Sequence, residues 1–358
     1  MKNTLKQTFL KSFLFAGVCA LGLTACKKDS DGSPDYKAGN PTGSIAPGEA
    51  SGGTVVTVTG SGLGQMRTIV FEKNNVPASF QQNLNTESAI VFRVPDTAFG
   101  GQQNIIFTNV NGTQLTVPFK VIALASVTGV SNYNYSADEN ITLTGNNLDD
   151  VSAVVFDGTT IAPAIVSKTR KELVLKMPAN DLTDAKLKIT NGSGTVVTTQ
   201  SFVNLDNAYK IFTEGYDNGW QDGSWTPSAV SSTVAKHGTK SFAANYPKGA
   251  WQAEGFANWW PGVEYSAAYK YLAFWVKGGT TDNTYYLTTD TRGGFGNSDQ
   301  RVPIAVPKNV WTYVKLPLSD LDLWKGGTAD RMKQLGWWVK GPNDAAETIY
   351  FDDVILIK

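Results

Sequence analysis

The apolar positions of this chain recur mostly at every second residue, in short runs that Gly, Asn and Pro separate. In the first half, Val56 and Val58 alternate with threonines, and Ile141 and Leu143 repeat the pattern further along. Successive side chains of a β-strand point to opposite faces, so this spacing predicts strands that each have one buried face. Short strands with turn residues between them predict small β-sandwiches.

The first half of the chain contains one module twice. The stretch TVVTVTGSGLGQMRTIVFEKNNV (54–76) aligns with ENITLTGNNLDDVSAVVFDGTTI (139–161) at a constant offset of 85 residues. The matching pairs are Gly60 and Gly145, Leu63 and Leu148, and Phe71 and Phe156. A repeat of this length is a whole domain rather than a unit of a solenoid. We therefore predict two similar sandwiches, over residues 41–123 and 124–204.

The second half of the chain differs in its aromatic content, because all ten tryptophans lie between Trp220 and Trp338. Its apolar runs again have the length of strands. They include LAFWVKGG (272–279), WTYVKLPLSDL (311–321), QLGWWVKG (334–341) and ETIYFDDVILIK (347–358). These runs predict a third all-β domain, over residues 205–358, with a different task from the first two.

Strand alternation divides the large side chains of this third domain between two faces. Phe274 points to one face with its apolar neighbours, and Trp275 points to the other; Trp337 shares a face with Leu335 and Val339, so Trp338 points away from them. The side chains predicted on the second face are Trp275, Tyr286, Asp290, Arg292, Trp338 and Lys340. Broad rings beside polar groups suit a sugar chain, which offers an apolar ring face and hydroxyls. We therefore predict a carbohydrate site on this face.

The stretch GFANWWPGVEY (255–265) places Trp259 and Trp260 beside a Pro-Gly turn, a few residues after Trp251. Large aromatic side chains are normally buried, whereas turn residues are normally exposed. We expect one ring of the pair to hold the loop against the sheet. The other ring and Trp251 are expected at the rim of the binding face.

The N-terminal segment MKNTLKQTFLKSFLFAGVCALGLTAC has three lysines ahead of an apolar run, which predicts a secretory signal over residues 1–25. The run is too short to span a bilayer. It ends in LTAC, which resembles a bacterial lipobox, in which the cysteine, here Cys26, is acylated and becomes the first residue. The alternatives are an ordinary signal peptide with an incidental cysteine and a short membrane anchor. Residues 26–40 are polar and predict a flexible tether.

Charge and residue counts exclude several kinds of chemistry. Without residues 1–25 the chain keeps 28 basic and 31 acidic side chains, which argues against a broad basic surface for nucleic acid. Cys26 would be the only cysteine left, so no disulfide is expected. His237 is the only histidine, which excludes metal sites built from several histidines. Glycoside hydrolysis needs two carboxyl groups flanking the bond, and no spacing of acids singles out such a pair.

The motifs of each half resemble known families. T-x-T-G-x-x-L followed by V-x-F and then V-P or M-P resembles the IPT/TIG immunoglobulin-like domains. The third domain resembles β-jelly-roll carbohydrate-binding modules in its Gly-x-x-Ser segment, Lys-Gly-Gly strand end, W-x-x-V-x-L-P-L strand and closing Asp-Asp strand. The resemblance implies an all-β fold, with two immunoglobulin-like β-sandwiches followed by a β-jelly-roll (galactose-binding-like) domain.

The whole arrangement resembles the surface glycan-binding lipoproteins of Bacteroidota polysaccharide-utilisation systems. The resemblance implies a non-catalytic protein on the outer face of the outer membrane, with a polysaccharide ligand and a TonB-dependent glycan importer as partner. Alternatives are a polysaccharide lyase or glycoside hydrolase that uses the same cleft, and a structural or adhesive surface protein. In the resembled modules a structural calcium ion is common, which implies ligands from Glu214, the Lys240 carbonyl and Asp352. A salt bridge or a solvated pair of acids is the alternative there.

The predicted anchor can be tested by replacing Cys26 with Ala. Because no other apolar segment precedes the domains, we expect the variant to be released from the outer membrane, whereas the unchanged chain stays bound. Immunoblots of soluble and membrane fractions after an alkaline wash measure this release. Retention of the variant in the membrane fraction would contradict lipidation at Cys26.

Overall fold

The computed structural model describes residues 40–249, 251–292, 294–296, 298–321, 323–324, 331–339 and 344–358. Residues 1–39, with the predicted signal, tether and Cys26, lie outside the described part of the chain. Strands are the dominant element of the described residues, with only short helical turns beside them, and the predicted all-β fold class is confirmed. They divide into two compact units, of which the second comprises residues 98–102 and 120–358. No described helix has both the length and the apolar character to cross a bilayer.

The first sandwich has two sheets around an aromatic core. Its strands are β1 (Thr42–Ala46), β2 (Glu49–Ser51), β3 (Val55–Ser61), β4 (Met66–Phe71), β5 (Val76–Ala78), β6 (Ala89–Arg93), β7 (Gly101–Asn109) and β8 (Gln114–Ile122). The sheet orders are β1-β3-β6 and β2-β8-β7-β4-β5. Phe71 contacts Phe92 and Phe119 edge-on in the centre, at ring distances of 6.4 and 6.0 Å. Short 3-10 helices cover Lys73–Asn75 and Gln82–Leu84.

The second sandwich repeats this plan. Its strands are β9 (Ser126–Val130), β10 (Asn134–Tyr135), β11 (Asn140–Asn146), β12 (Ala153–Phe156), β13 (Ala164–Lys168), β14 (Glu172–Lys176), β15 (Asp184–Asn191) and β16 (Gly194–Asn204). The sheet orders are β13-β14-β11-β9 and β10-β16-β15-β12. A 3-10 turn at Leu205–Asn207 leads out of the second sandwich.

The residues that the sequence repeat aligned have the same structural role in both sandwiches. Phe71 and Phe156 are both fully buried. A Cβ atom at Gly60 would lie 1.9 Å from the Thr42 carbonyl oxygen, and one at Gly145 would lie 1.8 Å from the Ser126 carbonyl oxygen. Only glycine permits this close approach of the first strand to the third. The repeated glycine is therefore required by strand packing.

The third sandwich contains all the tryptophans. Its elements are β17 (Tyr209–Phe212), β18 (Gln221–Asp222), β19 (Ala229–Ser231), β20 (Ser241–Tyr246), β21 (Ala253–Ala257), β22 (Tyr271–Lys277), β23 (Asn283–Thr289), a 3-10 turn (Asp290–Arg292), β24 (Ser298–Val306), β25 (Trp311–Pro317), α1 (Leu318–Leu321), β26 (Gln334–Val339) and β27 (Glu347–Ile357). One sheet has the order β19-β20-β27-β22-β25, with β17 also paired to β27. The other has the order β18-β21-β26-β23-β24.

Aromatic stacking joins the two sheets of the third sandwich. The indole of Trp337 on β26 lies nearly parallel to the ring of Phe351 on β27, with their centroids 3.9 Å apart. Phe274 on β22 meets the same indole edge-on at 4.9 Å, and the Tyr246 hydroxyl donates to the Trp337 carbonyl oxygen. Trp337 is fully buried, so the prediction that it faces the core is confirmed.

The third sandwich also packs against the second one, within the same compact unit. The ring of Tyr133 stacks on both Trp275 and Tyr313, at centroid distances of 5.6 and 4.8 Å. The Trp275 indole N–H donates to Asn132 Oδ1 at 2.8 Å, and the Tyr313 hydroxyl donates to Asn134 Oδ1 at 2.8 Å. The second sandwich is thus fixed to the third by a packed, hydrogen-bonded junction.

The only histidine of the chain lies at this junction. The Nδ1 atom of His237 lies 3.0 Å from Asp353 Oδ2, and its Nε2 atom lies 3.1 Å from Glu139 Oε2, on the second sandwich. Burial opposes a charge on the imidazole, but hydrogen bonds and charges of Asp353 and Glu139 outweigh it and raise the pKa of His237 to about 10. His237 is therefore a cation at neutral pH that bridges two carboxylates.

Because His237 is charged in the folded protein, we predict that the difference in stability between the wild type and His237→Ala depends on pH. Because the pKa of His237 rises from about 6.5 to about 10 on folding, its contribution is complete below about pH 6.5 and is lost as the pH rises through 10. We expect the variant's deficit in unfolding free energy to shrink steadily from pH 6.5 to 10.5, in urea titrations at several pH values.

The matched control is Lys176→Ala, which removes an exposed ion pair of 2.9 Å with Asp138. Exposed pairs contribute little, so its deficit should be small over the same pH range. A His237→Ala deficit that grows between pH 7 and 10 would contradict the charged bridge.

Candidate functional site

The sheet of β18, β21, β26, β23 and β24 has one face on the core and one face that other strands leave uncovered. Trp338 lies on the uncovered face, opposite to Trp337. Directly paired residues of antiparallel strands share a face, and Trp338 pairs with Ala253 on β21 and with Tyr286 on β23. We call this side of the sheet, with Ala253, Tyr286 and Trp338, the outer face.

Three aromatic side chains cluster at one end of the outer face. The ring of Trp338 lies 5.4 Å from the ring of Trp251 and 6.1 Å from that of Tyr286. Only 7% of Trp338 is exposed, whereas 49% of Trp251 is exposed. Trp338 is therefore the supporting ring of the cluster, and Trp251 offers the larger surface to a ligand.

A further aromatic side chain extends this cluster across the sheet. The register of β18 with β21 continues past Asp222, since the Trp225 N–H donates to the Ala253 carbonyl oxygen at 3.1 Å. Trp225 therefore shares the outer face with Ala253 and Trp338, and 51% of it is exposed. Trp225, Ala253, Trp338 and Tyr286 form one row across four strands, which we call the aromatic row. Three strand spacings give it a length of about 14 Å.

Glycines form the floor beside the aromatic row. Gly255 on β21 pairs directly with Gly336 on β26, and a Cβ atom on Gly255 would lie 2.4 Å from Gly336 Cα. Gly223 donates its N–H to the Gly255 carbonyl oxygen on the other side of β21. Gly255 and Gly336 are both buried, and the missing side chains let neighbouring groups pack directly on the backbone of the outer face.

Phe295 covers one end of this floor. Its ring meets Trp225 edge-on at 6.3 Å, and its Cζ atom would lie 2.7 Å from a Cβ atom on Gly336. Thr288, on the outer face of β23, accepts the N–H of Gly296 through Oγ1 at 2.8 Å and so fixes the turn that carries Phe295. The candidate site is thus an aromatic surface at which Trp225 and Trp251 are about half exposed.

A buried acid anchors the segment that carries Trp225. Glu254 points to the core side of β21, is fully buried, and accepts the Thr226 N–H at 3.2 and 3.3 Å on its two oxygens. Burial raises the pKa of Glu254 to about 8, although these hydrogen bonds favour the charged form. Asp222 accepts the Ser224 N–H at 3.1 Å and completes the anchor.

The structure does not bring Trp275 to the outer face. Alternation correctly predicts that it points away from Phe274, but it lies on the other sheet, where the second sandwich covers it. The ammonium group of Lys236 also contacts this indole, with Nζ 4.4 Å from the centre of the Trp275 ring. The prediction that Trp275 is a sugar platform is therefore wrong, because a neighbouring domain buries its face.

The residues predicted to bind sugar hydroxyls are Asp290, Arg292 and Lys340, and the structure describes only some of their side chains. Asp290 Oδ1 accepts the backbone N–H groups of Lys333 and Gln334 at 2.9 and 3.0 Å, so this oxygen holds the start of β26. The side chain of Arg292 and all of Lys340 lie outside the described part of the chain. Tyr286 and Trp338 are the two predicted residues that the outer face brings into contact.

Both tryptophans of the WW loop are exposed, Trp259 at 53% and Trp260 at 87%. The expectation that one ring holds the loop is therefore wrong. The buried side chain of Asn258 holds it instead, since its amide donates to the Asn218 carbonyl oxygen at 3.0 Å and accepts the Gly262 N–H at 3.1 Å. A short amide can satisfy buried backbone groups in a way that an indole ring cannot.

The calcium site that the resemblance implies stays a prediction, and the carboxylates implied as its ligands have partners within the protein. Asp352 Oδ2 accepts the backbone N–H groups of Lys236 and His237, and Glu214 accepts the backbone N–H and the hydroxyl of Thr239. Within the described ranges no three His, Cys, Asp or Glu side chains are grouped to hold a metal.

Sequence reasoning missed Trp225 and Phe295. Both lie in turn-rich stretches, QDGSWTP and GGFGN, where no strand pattern assigns a face. The sequence signal that was available is the glycine beside each ring, because glycine in a strand indicates close approach of another group.

Comparison with known proteins supports the fold. Residues 42–121 match the IPT/TIG domain family. The surface glycan-binding protein PbSGBP-B of Prevotella bryantii is 14% identical, with 89% of this chain and 99% of that chain covered and a TM-score of 0.54. An SGBP-B from a complex xyloglucan utilisation locus of Bacteroides uniformis is 17% identical over 90% of this chain and 99% of that one, with a TM-score of 0.43. Comparison with curated protein sequences gave no match.

This likeness confirms, at the level of fold, the resemblance to the surface glycan-binding proteins of Bacteroidota. The similarity in fold is based on PbSGBP-B, whose TM-score is 0.54. This similarity does not identify the ligand of the present chain.

The two neighbouring tryptophans of β26 should respond differently to truncation. Trp337→Ala removes a fully buried ring that stacks on Phe351, and we expect a loss of roughly 3–5 kcal/mol in unfolding free energy. Trp338→Ala should cost less, because its ring lies on the outer face beside Trp251 and Tyr286 rather than in the core between the sheets. Urea unfolding of the two variants measures both values, and the opposite ranking would mean that the register of β26 is off by one residue.

Proposed function

We propose that this protein is a non-catalytic cell-surface binder of polysaccharide, and that the outer face of its third sandwich is the binding site. The ligand class is a β-glucan or a related plant or microbial glycan with flat pyranose rings. The aromatic row supplies the stacking surface, with Trp251 and Trp225 as the exposed rings and Trp338 and Tyr286 as support.

The observation that carries this proposal is a row of aromatic rings on the outer face, at which two indoles remain about half exposed. Trp225 and Trp251 are each about half exposed although both are packed against other aromatic rings, Phe295 and Trp338. Exposed indoles match the apolar face of a sugar. A row about 14 Å long suits a chain rather than a single small molecule.

The orientation of the acidic side chains near the aromatic row favours glycan binding over glycan cleavage. Glu254 lies on the core side of β21, beneath the row, and its oxygens receive the Thr226 N–H. One oxygen of Asp290 receives two backbone N–H groups. A glycoside hydrolase needs two carboxyl groups that flank the scissile bond on the ligand side, and these two acids are directed elsewhere.

The fold likeness to PbSGBP-B supports a place at the cell surface. In this proposal Cys26 carries the lipid that holds the chain on the outer membrane, residues 26–40 are the tether, and a TonB-dependent importer takes the captured glycan onward. A further similar structure is that of an SGBP-B from a mixed-linkage glucan utilisation locus of Bacteroides ovatus, in complex with a mixed-linkage heptasaccharide; that protein is 15% identical with a TM-score of 0.35. Mixed-linkage glucan is accordingly one of the probes below.

The proposal predicts weaker glycan binding when either exposed ring of the outer face is removed. We expect Trp251→Ala and Trp225→Ala each to lower affinity about 5- to 150-fold, taking stacking of a flat base on an aromatic ring, roughly 1–3 kcal/mol, as the analogy. Affinity electrophoresis and calorimetry of the mature chain on xyloglucan, mixed-linkage β-glucan, galactomannan and xylan measure the effect.

The control variant is Val230→Ala, which removes an exposed apolar side chain of the same sandwich from β19, on the other sheet. It should bind like the wild type. Unchanged affinity of both tryptophan variants would contradict the site. Release of reducing ends or unsaturated sugars from any polysaccharide of the panel would favour an enzyme, and failure to bind any of them would favour a structural or adhesive protein.

A further inference from the structure

The exposed aromatic side chains of the third sandwich form two groups. Trp225 and Trp251 lie at the aromatic row. A second group, Trp259, Trp260 and Tyr265, stands on one loop that follows β21, with 53%, 87% and 47% of each residue exposed. The aromatic row does not account for the second group, because β21 and two more residues separate Ala253 from Trp259. At about 3.3 Å per residue that distance is about 20 Å.

An open pocket of about 550 Å³ lies beside this loop. Its lining includes Tyr209, Asn218, Pro261, Tyr265, Ser266 and Tyr269. It therefore combines three tyrosine rings with amide and hydroxyl groups, which is the mixture that carbohydrate sites use.

The walls of this pocket are held in place from behind. The buried indole of Trp324 lies parallel to the ring of Tyr269 at 6.4 Å and edge-on to that of Tyr265 at 5.9 Å. Its N–H donates to the Val263 carbonyl oxygen at 2.8 Å. Since Trp324 fixes both tyrosines, the pocket is formed before any ligand arrives, which lowers the entropic cost of binding.

The polar groups at the pocket have free capacity for hydroxyl partners. Ser266 Oγ accepts the Ala268 N–H at 3.2 Å and keeps its own proton for donation. Glu264 and Arg331 form an exposed ion pair of 3.3 Å at the rim, and each can also bind hydroxyls. A pocket of this size takes one or two sugar rings.

We propose that the loop with Trp259, Trp260 and Tyr265, together with this pocket, is a second carbohydrate subsite that binds a distant part of the same polysaccharide chain. The inference rests on the proposed function of the outer face. A ligand long enough to reach both places gains affinity from the linkage, because the second contact is intramolecular. A short oligosaccharide occupies the aromatic row alone.

The test compares long and short forms of the same glycans. The probes are xyloglucan, mixed-linkage β-glucan and galactomannan, each as polysaccharide and as tetrasaccharide, titrated into the mature chain. For the double variant Trp260→Ala/Tyr265→Ala we expect tetrasaccharide affinity within twofold of the wild type and polysaccharide affinity at least tenfold lower. Trp251→Ala should weaken both forms. Trp260 is almost fully exposed and Tyr265 is about half exposed, so the double variant should stay folded, which a thermal melt checks.

A matched variant keeps the ring and removes only the hydroxyl. The single variant Tyr265→Phe should retain most of the polysaccharide affinity, because contact of the ring with the sugar is the main interaction.

Unchanged polysaccharide affinity of the double variant, beside a loss in Trp251→Ala, would overturn the second subsite and leave the proposed function standing. An equal loss for tetrasaccharide and polysaccharide in the double variant would also overturn it, since that result describes one continuous site. Absence of binding to every probe by the wild type would overturn both proposals, and a loop that captures a protein instead would then be the remaining explanation of its exposed rings.

Discussion

The stack of Trp337 on Phe351 is the contact on which the architecture of the third sandwich depends. It joins β26 of one sheet to β27 of the other at a centroid distance of 3.9 Å. Because a strand alternates its side chains, a core position for Trp337 forces Trp338 and Gly336 onto the outer face. The aromatic row and the glycine floor both follow from that register. One buried stacking contact thus determines which surface is offered to a ligand.

The two sheets of the third sandwich have different outer surroundings. The sheet that contains β22, β25 and β27 carries Trp275 and Tyr313, which clamp Tyr133 of the second sandwich. Its aromatic outer surface is therefore used to hold a domain. The outer face of the other sheet keeps Trp225 and Trp251 exposed. Similar side chains have different tasks because a neighbouring domain covers only one of the two sheets.

Acidic side chains contribute to both surfaces by fixing what lies behind the aromatic rings. Asp353 and Glu139 hold His237 charged at the junction, which raises the pKa of the imidazole to about 10. Glu254 anchors the Trp225 segment from beneath the sheet, with a pKa that burial raises to about 8. In both cases an acidic side chain fixes the backbone or the neighbouring domain that positions an aromatic ring. The rings supply the contact surface, and the acids supply its rigidity.

The sequence alone determined the all-β fold, the duplicated sandwich and the opposite faces of Trp337 and Trp338, because these depend on local alternation and on a repeat that can be read along the chain. The glycine pair Gly60 and Gly145 is predictable for the same reason. Only the tertiary structure decided that Trp275 is covered, that both rings of the WW loop are exposed, and that Trp225 joins the aromatic row. Those outcomes depend on contacts between residues far apart in sequence, and alternation specifies on which side of a strand a side chain lies without specifying what packs against that side.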